Sequence, residues 1–220
     1  MTEIEAIRAR HAVRNYTAKP LSPEIIDELS QEIEQCNRQG QLHIQLVTEN
    51  EEAFKTFIPL SGRFKNVKNY IALAAKKQGD FYVKCGYCGA RLMVKAQQAG
   101  LNSCWVTNTY NAKKCPVTLA PDEELVGVIA IGYGTTDGTQ HKSKSMERLC
   151  KPCSDKWFLD GMNAAVLAPT GLNRQDFFIE ANGNTVSIRT KDNHPMSQIN
   201  TGIVKYHFEI GAGRENFNWE

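Results

Sequence analysis

Residues 159–179 read Leu-Asp-Gly-Met-Asn-Ala-Ala-Val-Leu-Ala-Pro-Thr-Gly-Leu-Asn-Arg-Gln-Asp-Phe-Phe-Ile. The stretch opens as an apolar helix expected to end at Ala168. Pro169-Thr170-Gly171 then predicts a sharp turn, because proline fixes φ, glycine permits φ > 0 and the pair punctuates a helix end. After Asn173-Arg174-Gln175, the aromatic run Phe177-Phe178-Ile179 opens a strand. Helix, tight polar corner and strand follow one another within a few residues.

Working outward, 220 residues suffice for one large domain or two small ones with a substantial core. A hydrophobic content of 41% and a charged content of 23% are ordinary for a globular chain. A net charge of +2 is too small to make nucleic acid the main partner. No apolar run approaches the ~20 residues of a bilayer span, so no membrane role is expected. The start, Met-Thr-Glu-Ile-Glu-Ala-Ile-Arg, is acidic and amphipathic and does not read as a signal peptide. Seven cysteines, an odd number, favour thiols in a reducing cytoplasm over a disulfide scaffold.

In chain order, residues 2–9 predict a short helix with Ile4 and Ile7 on one face. The basic stretch Arg8 to Tyr16 follows, and on a continuing helix Arg10 and Arg14 would project to one side. Arginine's planar fork suits a dianionic phosphate, although a solvated basic helix end is the bland reading of such a cluster. Ser22 can N-cap a helix over 23–35 with Pro23 at its first position. Ile25, Ile26, Leu29 and Ile33 give that helix its apolar face. Asn37-Arg38-Gln39-Gly40 then predicts a turn into a strand through Leu42, Ile44 and Leu46. A short helix at 51–57 leads to Pro59 and Gly62. A strand at 69–75, a helix at 80–99 and apolar strands at 101–106 and 125–131 come next. Residues 196–212 carry Ile199, Ile203, Tyr206 and Ile210 at helical spacing, with Gly211 and Gly213 as the close. The class is α+β, with a central mixed or antiparallel sheet covered by helices.

Gly132-Tyr133-Gly134 after a strand invites a dinucleotide-fold reading, which needs a helix straight after the glycines. The polar run Gly138-Thr139-Gln140-His141-Lys142-Ser143-Lys144 does not supply one. Two Cys-x-x-Cys pairs, Cys85/Cys88 and Cys150/Cys153, suit a tetrahedral zinc or iron–sulfur site in principle. They lie too far apart for a compact knuckle, and unliganded thiols are the favoured reading. The histidines show no ligand spacing, and no hydrolase motif is present.

Several of these pieces resemble the FMN-dependent nitroreductases. Residues 168–175 are similar to that family's A-P-S-x-x-N-x-Q-P-W segment, with Asp176 where proline is usual. Arg10-His11-Ala12-Val13-Arg14 is similar to R-R-S-x-R/K, with Ala12 in place of serine. Gly86–Ala90 and Gly100–Val106 resemble G-Y-x-G-E…G-L-G-T-C-W-V, with Ala90 for the acidic residue and Thr107-Asn108-Thr109 where Gly-Gly is common. Lys142 and Lys144 match the K/R-x-K/R that grips the FMN phosphate. The resemblance implies a nitroreductase-like fold and an FMN site drawn from Arg10, His11, Ala12, Arg14, Arg63, Lys142, Lys144, Pro169, Thr170, Gly171 and Asn173. Basic groups near the start and polar groups near residue 170 are expected to converge on one flavin. It also implies hydride transfer from NAD(P)H through flavin N5 to a nitroaromatic, quinone or similar small acceptor, with ping-pong kinetics and no side chain acting as base. The alternatives are a catalytically decayed flavin-fold binding protein and a zinc or iron–sulfur protein using all four cysteines of the two Cys-x-x-Cys pairs.

Asn-Arg-Gln occurs twice, at 37–39 and 173–175, each time read as following a helix and preceding a strand. This predicts two degenerate repeats, a first nitroreductase-like half over 1–145 and a shorter second half over 146–220, in one compact unit overall. The chain would then be a single-chain pseudo-dimer; an ordinary homodimer is the alternative.

Overall fold

A computed structural model of the chain describes residues 1–55 and 64–220. Its elements run α1 (Glu3–Ala9), α2 (Pro23–Gly40), β1 (Gln45–Val47), β2 (Asn69–Lys76), α3 (Phe81–Gln98), β3 (Asn102–Val106) and β4 (Glu123–Gly132). They continue with α4 (Lys156–Ala165), β5 (Phe177–Asn182), β6 (Thr185–Thr190), α5 (Pro195–Ala212) and β7 (Asn218–Trp219). The chain forms two compact units, one of residues 1–9, 82–91 and 141–220, the other of residues 10–81 and 92–140. α3 contributes to both.

In the 10–81/92–140 unit, four strands pair antiparallel in the order β1-β2-β4-β3. β2 is buried over seven successive residues and β4 over its last seven, as expected of apolar runs between covered faces. Ser22 N-caps α2 through Ile25 N–H, with Pro23 at the first position as the sequence indicated. The helix does not stop at Asn37. It continues to Gly40 and turns at Gln41, which takes left-handed angles (φ 54°, ψ 47°). Asn37 clamps the departing chain from inside the helix, its amide donating to Ile44 O and accepting from Ile44 N–H. Of the short helix expected at 51–57, residues 56–57 lie outside the described residues, and the described part holds a single 3-10 turn at Glu52–Phe54.

The Asn-Arg-Gln match behind the predicted repeat does not extend to local structure. Asn37-Arg38-Gln39 is helical, whereas Asn173-Arg174-Gln175 lies in a turn with φ 54° at Asn173 and 48° at Gln175.

In the other unit, α5 is the axis. Two pairs of glycines let its neighbours reach backbone contact. A Cβ on Gly202 would lie 1.9 Å from Val83 O, and one on Gly86 would lie 2.1 Å from Ile199 O. On the α4 side, a Cβ on Gly211 would lie 2.4 Å from Asp160 O and one on Gly161 2.8 Å from the Phe208 ring. Gly211 therefore does not close α5; it packs within it, and Gly213 (φ 77°) makes the cap. A second sheet, β5-β6-β7, pairs antiparallel then parallel.

Because the intruding atoms at Gly202 are backbone, they cannot swing aside. Gly202→Ala is expected to destabilise the fold by about 3 kcal/mol, lowering Tm by roughly 6–12 °C for a chain of this size. An unchanged melting curve would show that α3 and α5 are not so closely packed.

Candidate functional site

The basic segment comes first. The helical projection of Arg10 and Arg14 is wrong: α1 ends at Ala9 and residues 10–16 run extended. Ala12 bridges Ser103 on the edge of β3, with Val13 N–H donating to Ser103 O at 3.2 Å. The reason is apolar. Val13 (3% exposed) and Tyr16 (2%) are drawn into the sheet core, and the Tyr16 hydroxyl, having one hydrogen, lies 2.7 Å from Val13 O and 3.2 Å from Ala130 O. Burying those side chains outweighs the helix preference of the segment.

Arg10 is buried along with Val13 and Tyr16, whereas Ala12 and Arg14 are exposed. Arg10 is only 4% exposed, and its Nε and Nη1 have no hydrogen-bond partner among the described residues. Burial lowers its pKa to about 10, against the opposing pull of Cys104 and Tyr16. It therefore stays cationic at neutral pH. Burial also raises the Cys104 thiol, so that group is neutral and offers no counter-charge. Ser103 Oγ is fully buried and likewise unpartnered. A buried cation with two idle donors is costly unless an anion completes it. His11 is half-buried, and Gly138 packs against it: a Cβ there would lie 3.0 Å from His11 Cβ.

The glycines after β4 serve packing. Gly134 N–H donates to Asn102 Oδ1 at 2.8 Å, and a Cβ on Gly134 would lie 2.6 Å from that oxygen. No helix follows them before residue 146, which excludes the dinucleotide-fold reading.

In the other unit, the 159–179 stretch folds as helix, turn and strand, with corrections of detail. α4 ends at Ala165 and a turn carries the chain to Ala168. Gly171 does not use positive φ; Leu172 (52°), Asn173 (54°) and Gln175 (48°) do. A Cβ on Gly171 would lie 2.5 Å from Met196 Sδ on α5, so the glycine lets that side chain pack against the turn. Its N–H donates to Asn200 Oδ1, also on α5, at 3.0 Å. Thr170 Oγ1 accepts from Gln175 N–H at 3.0 Å. Pro169 is half-buried.

Gln175, 2% exposed, is the clasp of this corner. Its Nε2 donates to Lys142 O and to Asn173 Oδ1, both at 2.8 Å, and its Oε1 accepts from Lys144 N–H at 2.8 Å. Asn173 Nδ2 also donates to Lys142 O at 2.9 Å. Lys142, Lys144, Asn173 and the Pro169–Gly171 turn are thus brought together, though Lys142 engages through its carbonyl. Its exposed ammonium makes no ion pair among the described residues. Lys144 differs: its Nζ donates to Arg174 O, to Gln175 O at 3.1 Å and to Asp176 Oδ1 at 3.2 Å.

Arg63 lies outside the described residues. Among those described, no group of three or more His, Cys, Asp or Glu side chains is placed to hold a metal, so the two Cys-x-x-Cys pairs do not assemble into a four-cysteine site. Gln175, Asn200, Met196 and Asp176 were not singled out as site residues by sequence. Asn200 carried a usable signal, a polar residue beside Ile199 within an apolar helix face.

A family model described as "Putative TM nitroreductase" matches residues 3–212. Among solved structures, a nitroreductase described as putative from Thermotoga maritima superposes with a TM-score of 0.70 at 20% identity, covering 98% of this chain and 85% of its own. A protein from Desulfovibrio desulfuricans, likewise described as a putative nitroreductase and in complex with FMN, gives 0.57 at 14% identity over 70% of this chain and 99% of its own. An NADH dehydrogenase/NAD(P)H nitroreductase from Parabacteroides distasonis gives 0.54 at 19% identity over 67% and 95%. No curated protein matches the sequence. The fold is therefore the α+β nitroreductase fold.

Replacing Arg10 by methionine keeps its bulk and removes the uncompensated charge. Flavin-free Arg10→Met protein is expected to be more stable than wild type by about 1 kcal/mol or more, while FMN affinity falls by at least about tenfold. Urea denaturation and flavin titration check both, and a loss of apo-protein stability would contradict the account of the buried guanidinium.

Proposed function

The chain belongs to the TM nitroreductase family, and from that premise we propose that it is an FMN-dependent NAD(P)H oxidoreductase of nitroreductase type. The observation that carries the reading is the Arg10 guanidinium, buried with Nε and Nη1 unpartnered among the described residues, which fits an anionic cofactor. The FMN bound in the D. desulfuricans structure supports flavin mononucleotide as that cofactor.

Each unit offers its own candidates. In one, Arg10 and Arg14 are cationic contacts for phosphate or for the pyrimidine edge of the ring, with His11 and Ala12 supplying backbone beside them. In the other, the 169–173 turn lines the ring and Lys142 offers a phosphate contact. Bound FMN would supply hydride acceptance and donation at N5. The protein's part is to bind, to orient and to place positive charge where the reduced ring becomes anionic. No side chain is assigned as a proton donor or base. NAD(P)H and a small organic acceptor would be the substrates, in a cytoplasmic setting.

Nearly the whole of each shorter neighbour covers only 67–70% of this chain. That surplus supports the reading of a single-chain pseudo-dimer. Light scattering should give the mass of one 24.7 kDa chain; twice that would contradict it.

Steady-state kinetics separate enzyme from decayed binding protein. NADH or NADPH oxidation with an artificial acceptor should give parallel double-reciprocal lines, as expected of ping-pong turnover, and Arg14→Ala should release the flavin. Tight FMN binding without turnover would favour the binding-protein alternative.

A further inference from the structure

The structure treats the two lysines of Lys142-Ser143-Lys144 differently, and the difference traces to Asp176. A lysine ammonium carries three hydrogens. Lys144 has an acceptor for each: Arg174 O, Gln175 O and Asp176 Oδ1. Its charge is neutralised by the Asp176 carboxylate, and the flanking backbone is pinned because Lys144 N–H donates to the buried Gln175 amide. The Lys142 ammonium has no such commitment among the described residues, while its carbonyl is held by Gln175 and Asn173.

We propose that Asp176 removes Lys144 from phosphate recognition and leaves Lys142 as the one lysine of the pair that reads the flavin phosphate, so that Asp176 sets how strongly the protein prefers FMN over its dephosphorylated form, riboflavin. Lys144 becomes a structural pin of the 174–176 corner. The Lys144–Asp176 pair is about one-third exposed on both sides, so an added phosphate competes with a carboxylate already in place. The carboxylate wins because it is tethered in the same corner and two carbonyls share the ammonium with it.

This inference rests on the FMN reading, and its test keeps the two apart. Dissociation constants for FMN and for riboflavin are measured by fluorescence titration on wild type, Asp176→Asn, Lys142→Met, Lys144→Met and Lys144→Met/Asp176→Asn. The readout is the ratio of the two constants, which a general loosening of the fold would not shift. Asp176→Asn, nearly isosteric, should raise the preference for FMN by about three- to fivefold, the worth of one exposed charge pair. Lys142→Met should lower the preference by a similar factor, Lys144→Met should leave it unchanged, and the double variant should lack the gain. An unchanged ratio in Asp176→Asn, or a Lys144→Met loss equal to that of Lys142→Met, overturns the inference while FMN binding stands. A wild type that binds neither flavin overturns the FMN reading and this inference with it.

Discussion

The close approach of helices onto α5 is the constraint from which the rest of its unit follows. Glycine at 86, 202, 161 and 211 lets α3 and α4 touch α5 at backbone distance, where any side chain would collide with a carbonyl, a methyl or a ring. A helix held so tightly can serve as a fixed ruler. Two of its residues then set the 169–175 turn: Met196 fills the space that a Cβ on Gly171 would need, and Asn200 accepts the Gly171 N–H. Once that turn is placed, Gln175 ties it to the 142–144 segment. Backbone packing in the core thereby fixes the polar corner at the surface. The positive φ angles of Leu172, Asn173 and Gln175 are held by this over-determination.

The other unit works by a different means. Its antiparallel sheet supplies an edge at β3, and residues 12–16 dock there because Val13 and Tyr16 find apolar cover in the core. Arg10 is buried beside them with no hydrogen-bond partner for Nε or Nη1 among the described residues. Stability is given up at that position, which is intelligible where an anionic ligand completes the charge and otherwise is not. In each unit, then, apolar or backbone packing positions a basic group that the packing alone does not require.

Much of this was legible in the chain itself. Long periodic runs gave α3, α5, β2 and β4, whose apolar patterns leave little choice of element. Ser22-Pro23 gave the start of α2 and Gly213 the end of α5, since cap chemistry is local. What failed was whatever depended on distant partners. The helix through Arg10–Arg14 yielded to sheet-edge burial of Val13 and Tyr16, and the end of α2 moved because Asn37 anchors Ile44 from within the helix. Gly171 and Gly211 serve packing rather than backbone conformation, which only the neighbouring helix reveals. The hairpin β5–β6 has a local signal of its own, Gly183-Asn184 between alternating runs. The resemblance in separated motifs reached the family correctly. The Asp176–Lys144 pairing could not be read from it, because proline in that place has no charge to capture a lysine.

The central claim is that this chain grips a flavin nucleotide with charge that its own fold leaves uncompensated. The absorbance spectrum of the purified protein, recorded before and after adding FMN and passing it through a desalting column, tests that most directly. A yellow protein, or one that retains stoichiometric FMN after the column, is expected. A colourless protein that releases all added FMN would contradict it.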